Sequence, residues 1–194
     1  MPKLLAKSII SLLIAASIGG GFALPSVIQP VLAANSKITS NDSPNDPGFT
    51  QNGANIDRQW GLVKAHFLEA WEVTTGDSDV IVAVIDTGID ASHEDFKKTN
   101  FVGGYNSITG KTIGRRSNSD DNGHGTLVAG VIAASTDNGK GIAVAAENVS
   151  LMSIKALSSD GSGSSSNITK GIIWATDHGA DVINMSLGGV GFSH

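Results

Sequence analysis

Apolar residues in the second half of the chain alternate between strand-like and helix-like stretches. Residues 79–86 read DVIVAVID, a continuous run rich in β-branched residues, which favours a strand buried on both faces. The run LVAGVIAAS, which follows DNGHGT, favours a helix whose small residues let it lie close to a sheet. A second strand is predicted in SLMSIKAL, residues 150–157, and a third in DVINMSL, residues 181–187.

Between the last two predicted strands the pattern is helical. In ITKGIIWATDHG the apolar residues recur on one face, and Gly179 is typical of the position just after a helix. That face carries Ile168, Ile172, Trp174 and Ala175. Strand, helix, strand, helix, strand in this order predicts parallel pairing through right-handed crossovers. We therefore predict an α/β fold of three layers, a mainly parallel sheet with helices on both faces.

The first half of the chain gives three further predictions. Residues 35–55 are polar, contain two prolines and are typical of an extended N-terminal arm. Residues 56–76 carry apolar side chains at helical spacing and predict a helix that ends at Gly76. Residues 103–123 are rich in Gly, Ser, Asn and Asp and predict an irregular surface loop.

Residues 1–34 have the layout of a secretory signal peptide. Lys3 and Lys7 precede the apolar residues 9–18, and VLAAN supplies small residues for cleavage after Ala33 or Ala34. A membrane anchor is the alternative, but a spanning helix needs about 20 apolar residues. We expect a secreted protein with no stable membrane anchor after signal removal, an arm over 35–55 and one domain over 56–194.

Net charge and cysteine content limit the partners and the stabilising bonds that the protein can have. The net charge is −5 with both signs interspersed, which argues against a nucleic-acid partner because such a partner calls for a basic stripe. The chain contains no cysteine, so an exported form has to be stabilised by its core or by bound ions.

Two residues beside predicted elements are candidates for acid–base chemistry. Asp86 lies at the carboxyl end of the first predicted strand, where parallel sheets leave a crevice, and His124 opens the following helix. A carboxylate that accepts the Nδ1–H of a histidine fixes the tautomer of the ring and stabilises the imidazolium when it forms. Each residue by itself also has an ordinary structural interpretation. An Asp at the end of a strand is typical of a turn, and the stretch DNGH is typical of a solvated loop.

Several stretches, in this order, resemble the subtilisin-like serine proteases (subtilases, peptidase family S8). They are IDTGID, HEDF, GHGTLVAG, GSGS and DVINMSLGG, and the resemblance covers roughly residues 45–189. It implies a subtilisin-like fold and a secreted endopeptidase that hydrolyses peptide bonds through an acyl-enzyme. It makes Asp86 the orienting carboxylate and His124 the general base.

The resemblance also implies two edges that hold an extended polypeptide substrate. One is formed by Gly161, Ser162 and Gly163, and the opposite one by Ser186, Leu187, Gly188 and Gly189. Glycines leave backbone donors and acceptors bare for strand addition by a peptide. Ordinary flexible loops are the alternative for both stretches.

A structural Ca²⁺ site is implied where the N-terminal arm meets a loop after the helix of His124. Its ligands would be the side chains of Asp46, Asp95 and Asn138 and the carbonyl groups of Ser135, Lys140 and Ile142. Oxygen ligands of this kind suit a hard cation. A solvated turn is the alternative.

The sequence departs from the family in one respect that decides the mechanism. The Gly-Thr-Ser-Met-Ala type motif that carries the nucleophilic serine does not occur in the 194 residues, nor does the oxyanion asparagine that precedes it. We therefore expect a truncated N-terminal portion of the catalytic domain, inactive by itself and incomplete at the C-terminal side of its sheet. The alternatives are a non-catalytic, calcium-clipped peptide-binding module (a pseudoprotease) and complementation by a separately encoded C-terminal half.

Overall fold

The computed structural model describes residues 44–49, 51–52, 55–56 and 59–189. The predicted signal peptide and the first part of the predicted arm lie outside these residues. The described arm contains a 3₁₀ turn, Pro47–Phe49, and two short antiparallel strands, β1 (Gln51–Asn52) and β2 (Asn55–Ile56). Two short helices follow, α1 (Trp60–Lys64) and α2 (Phe67–Trp71).

A five-stranded sheet forms the centre of the fold. Its strands are β3 (Ile81–Asp86), β4 (Asn100–Asn106), β5 (Lys111–Ile113), β6 (Ser150–Lys155) and β7 (Val182–Asn184). Their order across the sheet is β5-β4-β6-β3-β7. Pairing is parallel except between β4 and β5, which confirms the mainly parallel sheet predicted from the alternation of elements.

Helices cover both faces of this sheet, as predicted. Helix α3 (His124–Ala133) packs through its small residues on a cluster that includes Val82 and Val84 of β3. Helix α4 (Ser165–Asp177) packs on the opposite face, against Ala83 and Ile85. Because successive side chains of a strand point to opposite faces, the unbroken apolar run of β3 supplies both cores.

The single helix predicted over residues 56–76 is wrong. Its described part forms α1 and α2, which are separated at His66, a residue with a φ of 61°. Leu62 and Leu68 are both buried in the same cluster. In one continuous helix these two residues would lie about 120° apart, so the break lets both face the same core.

The irregular loop predicted over residues 103–123 is wrong in part, because β4 and β5 occupy seven of these 21 residues. Phe101 is buried and anchors β4, and the register with β6 shifts between Phe101 and Gly103. A side chain at Gly104 would collide with the backbone of Ser153 in β6. The glycines that indicated a loop therefore permit a close strand pairing.

The exposed large apolar side chains of the described residues include one group on α3 and one near β7. On α3, Leu127 is 74% and Val131 54% exposed, and they share the helix face of His124. Near β7, Val182 and Met185 are also exposed. Among the described residues, β7 pairs only with β3. None of the helices in the described part of the chain has the length and hydropathy needed to cross a membrane.

Candidate active site

Asp86 is the last residue of β3 and is completely buried. Its Oδ1 accepts a hydrogen bond of 2.7 Å from the backbone N–H of Thr87. Its Oδ2 is buried and has no hydrogen-bond partner among the described residues. An unsatisfied buried oxygen of this kind costs about 1–3 kcal/mol and calls for an explanation, of which a catalytic role is one.

His124 is the first residue of α3 and reaches the turn after β3 because two glycines surround it. Gly123 has a φ of 105°, which turns the chain into the helix. A side chain at Gly125 would collide with the carbonyl oxygen of Gly88. The start of α3 therefore lies in direct contact with the turn that follows Asp86.

The structure brings Asp86 and His124 into contact. The distance between His124 Nδ1 and Asp86 Oδ1 is 2.8 Å. Because a carboxylate only accepts hydrogen bonds, Nδ1 is the donor and Nε2 of the neutral ring is the acceptor. The imidazole is half exposed and the carboxylate is fully buried. The pair therefore has the geometry of a general base with an orienting carboxylate, the arrangement predicted from the sequence.

Asp120 links the two elements that carry this pair, and sequence reasoning missed it. Its Oδ1 accepts hydrogen bonds from the Thr87 hydroxyl (2.8 Å) and the backbone N–H of Gly123 (2.9 Å). Its Oδ2 accepts from the backbone N–H of Thr126 at 3.0 Å. Burial acts to raise the pKa of the Asp120 carboxyl, but hydrogen bonds from Thr126, Gly123, Asn122 and Thr87 lower that pKa below its ordinary value.

Lys155 is a second residue that the sequence analysis missed. It is the last residue of β6, pairs in register with Asp86, and has a buried side chain. Its Nζ donates to the carbonyl oxygens of Thr87 (2.7 Å) and Leu157 (3.0 Å) and to Asp121 Oδ1 (2.6 Å). A charged residue at the end of an apolar strand, and an Asp four residues before His124, are the signals that could have found Lys155 and Asp120.

The first predicted substrate edge lies beside the loop of His124. Ser162 accepts a hydrogen bond from the backbone N–H of Ser158 across a tight turn. Asn122 Nδ2 donates to the carbonyl oxygen of Ser159 at 2.8 Å, and this bond joins the turn to the loop before His124. Gly161 and Gly163 flank Ser162, and all three residues are exposed.

The second predicted substrate edge follows β7. Val84 pairs with Asn184, so residues 186–189 leave the sheet at the same end as Asp86. Ser186 accepts a hydrogen bond from Asn184 Nδ2 at 3.0 Å, and Leu187 is half-buried. Gly188 and Gly189 are exposed, with open space where a side chain would be.

The residues predicted to bind calcium come together around the loop 135–142. Asp46 accepts hydrogen bonds from the backbone N–H groups of Asp137 and Asn138. Asp95 accepts from Asn138 Nδ2 and from the backbone N–H of Ile142. Both carboxylates are buried.

The remaining predicted ligands belong to the same loop. Ser135 donates its backbone N–H to the carbonyl oxygen of Asp95, and Lys140 donates its own to Asn138 Oδ1. No group of three or more His, Cys, Asp or Glu side chains suited to a metal occurs in the described ranges. The predicted set has only two carboxylates, and both accept hydrogen bonds from N–H groups of this loop. Carboxylate oxygens are ligands that suit a hard cation.

The fold and the pair together define a class of protein. It is the class of α/β proteins with a mainly parallel sheet in which a carboxylate orients a histidine at the carboxyl edge of the sheet, an arrangement suited to nucleophilic catalysis. The family model described as "Subtilase family" (Peptidase_S8) matches residues 77–193. The chain therefore belongs to the subtilase family of serine proteases.

Comparison with individual proteins gives the same assignment. The chain is 54% identical to subtilisin DY of Bacillus licheniformis over 112 residues, which are 58% of this chain and 38% of that protein. It is 37% identical to thermitase of Thermoactinomyces vulgaris over 147 residues, which are 76% of this chain and 48% of that protein. The chain thus spans less than half the length of either relative.

A solved structure shows the same fold. Fervidolysin from Fervidobacterium pennivorans, described as a keratinolytic enzyme related to subtilisin, superposes with a TM-score of 0.62 at 31% identity. The match covers 75% of this chain and 24% of the fervidolysin chain.

Proposed function

We propose that this chain supplies the Asp–His base of a secreted serine endopeptidase that hydrolyses peptide bonds through an acyl-enzyme. The observation that carries the proposal is the 2.8 Å hydrogen bond between the Nδ1 of His124 and the buried carboxylate of Asp86. Export is supported by the leader-like residues 1–34 and by relatives named as extracellular proteases, Epr of Bacillus subtilis and Nep of Natrialba magadii.

In the proposed reaction, Nε2 of His124 takes the proton from a serine hydroxyl as its oxygen attacks the peptide carbonyl. The imidazolium then gives that proton to the leaving amine, and water releases the acyl group in a second cycle. Asp86 holds the ring in the required tautomer and stabilises its charged form. The serine is supplied by polypeptide outside these 194 residues, either in the same chain or as a separate one.

We place the substrate, an extended polypeptide, between the 161–163 and 186–189 edges. Both stretches are largely exposed, and the first is joined to the loop of His124 through Asn122. The open space at Gly188 and Gly189 suits the addition of an extended strand, whereas the N–H of Gly161 already donates to the carbonyl oxygen of Ser158.

A chimera tests the proposed function. Residues 77–189 of this chain would replace the matched stretch of subtilisin DY, which provides the remainder of the domain. We expect the chimera to hydrolyse casein and His124→Ala to lower kcat by about 10²–10⁴-fold or more, because the general base is lost. Asp86→Asn should also lower kcat with little change in KM, since it disturbs the base and leaves substrate contacts in place.

The control is His178→Ala, which removes an exposed histidine at the end of α4 and should leave kcat unchanged. A folded chimera that binds casein peptides without cleaving them would contradict the proposal and support the non-catalytic peptide-binding alternative. Full activity of the His124→Ala chimera would contradict it equally.

We also propose that Asp46, Asp95 and Asn138 hold a structural Ca²⁺ together with carbonyl groups of the loop 135–142. Two buried carboxylates from distant parts of the sequence reach the same short loop, where a divalent cation would offset their charges. A side chain at Gly141 would collide with the carboxylate of Asp95, so this loop lies very close to it. The ion would stabilise the fold and takes no part in the chemistry.

Calcium dependence of thermal unfolding tests this site. Ca²⁺ at about 100 times its Kd stabilises the folded state by about 2.7 kcal/mol, which raises Tm by about 5–10 °C for a chain of this size. Asp46→Asn and Asp95→Asn should remove the increase. Asp137→Asn removes a charge of the same sign from the same loop, but Asp137 is not a predicted ligand, so this variant should keep the increase in Tm. Equal Tm values with Ca²⁺ and with EDTA would disprove the site.

A further inference from the structure

A network of side-chain hydrogen bonds joins the turn after β3 to the start of α3. The Thr87 hydroxyl accepts from the backbone N–H of Gly125 at 2.9 Å and donates to Asp120 Oδ1 at 2.8 Å. Asp120 in turn accepts from the backbone N–H groups of Gly123 and Thr126, one on either side of His124. Two further bonds, from the Asn122 N–H and the Thr126 hydroxyl, complete the set of five on this carboxylate.

The donors of this network lie next to Asp86 or close to His124 in the sequence. Thr87 is adjacent to Asp86, and its N–H donates to the same Oδ1 that accepts from His124. Gly123 and Gly125 are adjacent to His124. The carboxylate of Asp120 is therefore fixed to both sides of the Asp86–His124 hydrogen bond without touching it.

We propose that Asp120 is a positioning residue that sets the contact between Asp86 and His124. Its use in catalysis rests on the proposed function, whereas its effect on the hydrogen bond does not. Displacement of an orienting group by about 1 Å can cost about a hundredfold in rate, so a fixed contact matters to a base of this kind.

The negative charge of the Asp120 carboxylate is needed for this positioning role. Although burial acts to raise the pKa of Asp120, its hydrogen bonds lower that pKa, so the carboxyl is ionised at neutral pH. As an anion it accepts all five bonds. An asparagine would direct an N–H₂ group at N–H or O–H donors and could satisfy only one side of the network.

The test is NMR of the 194-residue chain with ¹⁵N-labelled histidine. The readout is the exchange rate with water of the low-field Nδ1–H proton of His124, assigned by its loss in His124→Gln. In Asp120→Asn and Thr87→Val we expect exchange to be faster by about tenfold or more, because the contact with Asp86 opens more often. Thr87→Ser keeps the hydroxyl and should restore the wild-type rate.

Asp90→Asn is the matched control. The Asp90 carboxylate accepts only from Ser92 in the described part of the chain, although Asp90 lies in the same turn region. Wild-type exchange rates in both Asp120→Asn and Thr87→Val would overturn the proposal. Loss of folding in both, detected by circular dichroism, would overturn it too, because it would show a general structural role. Neither result depends on protease activity, so an inactive chimera and a failed positioning test remain distinct outcomes.

Discussion

Asp86 differs from an ordinary buried polar residue in how its carboxylate is hydrogen-bonded. Both hydrogen bonds of its carboxylate, from Thr87 and His124, fall on Oδ1, and Oδ2 has no partner among the described residues. Packing by itself would not favour such a residue, since leaving a buried oxygen unpaired is costly. Its position therefore follows from its contact with the imidazole.

Lys155 gives a prediction at the same scale. Lys155→Met keeps the length of the buried side chain but leaves the carbonyl oxygens of Thr87 and Leu157 and the carboxylate of Asp121 without their donor. We expect the free energy of unfolding to fall by about 2–4 kcal/mol, as measured by urea denaturation. Lys111→Met, at an exposed position in β5, should change it by less than about 0.5 kcal/mol. Equal stability of the two variants would contradict the structural role of Lys155.

Asp120 predicts a dependence of stability on pH. Because its folded-state pKa lies below the ordinary value of 3.8, its contribution to stability is fully present above that pH. That contribution is lost as pH falls through the folded-state pKa. We expect the difference in unfolding free energy between wild type and Asp120→Asn to be largest near about pH 6 and to shrink below about pH 3.8. A difference that stays constant over this pH range would contradict a stabilising role of the ionised Asp120 carboxylate.

At the scale of elements, the approach of α3 to the turn after β3 depends on a glycine. Gly125→Ala would place a methyl group against the carbonyl oxygen of Gly88 and force the helix away from the strand. We expect a loss of about 1–3 kcal/mol in the free energy of unfolding. Gly130→Ala, in the same helix with 3.8 Å to its nearest neighbour, should instead raise stability by about 0.5–1 kcal/mol. Chemical denaturation of both variants measures whether the free energy of unfolding changes in opposite directions.

Elements with a strong apolar pattern could be predicted from the sequence, and those that depend on long-range contacts could not. The buried run of β3 and the small-residue helix after His124 were predicted because their periodicity is local. Strand β4 was missed because Gly103 and Gly104 lower strand propensity, while its stability comes from pairing with β6. The break at His66 was missed because it serves a core that both short helices share.

The same distinction holds for the candidate site. Asp86 and His124 could be proposed because each lies at the end of a predictable element, and the family resemblance joined them. The network through Thr87, Asp120 and Lys155 was missed, because the bonds that join its separate elements connect residues more than 30 positions apart. The sequence holds local signals for Asp120 and Lys155, but only three-dimensional contact identifies their long-range hydrogen-bond partners.

At the scale of the whole molecule, exposed apolar side chains predict self-association of the 194-residue chain. Leu127 and Val131 lie on the exposed face of α3, and Val182 and Met185 are exposed near β7. Exposed apolar surface and a strand edge without a neighbour both favour association, and β7 pairs only with β3 among the described residues. We expect the double variant Leu127→Gln, Val131→Gln to raise the monomer fraction, as measured by size-exclusion chromatography with light scattering.

Ile173→Gln is the control for this prediction, because Ile173 is similarly exposed but lies on α4 at the opposite face of the sheet. It should change the monomer fraction less than the double variant does. A wild-type chain that is monomeric at high concentration would contradict the prediction.

The parallel pairing of β3 has a consequence for synthesis on the ribosome. Val82 pairs with Leu151 on one side and with Val182 on the other, which lies 100 positions later in the chain. At about 5–20 residues per second, this strand is synthesised about 5–20 s before its second neighbour. The apolar residues of β3 therefore lack this neighbour for that time in the nascent polypeptide, where they are a natural target for chaperone capture.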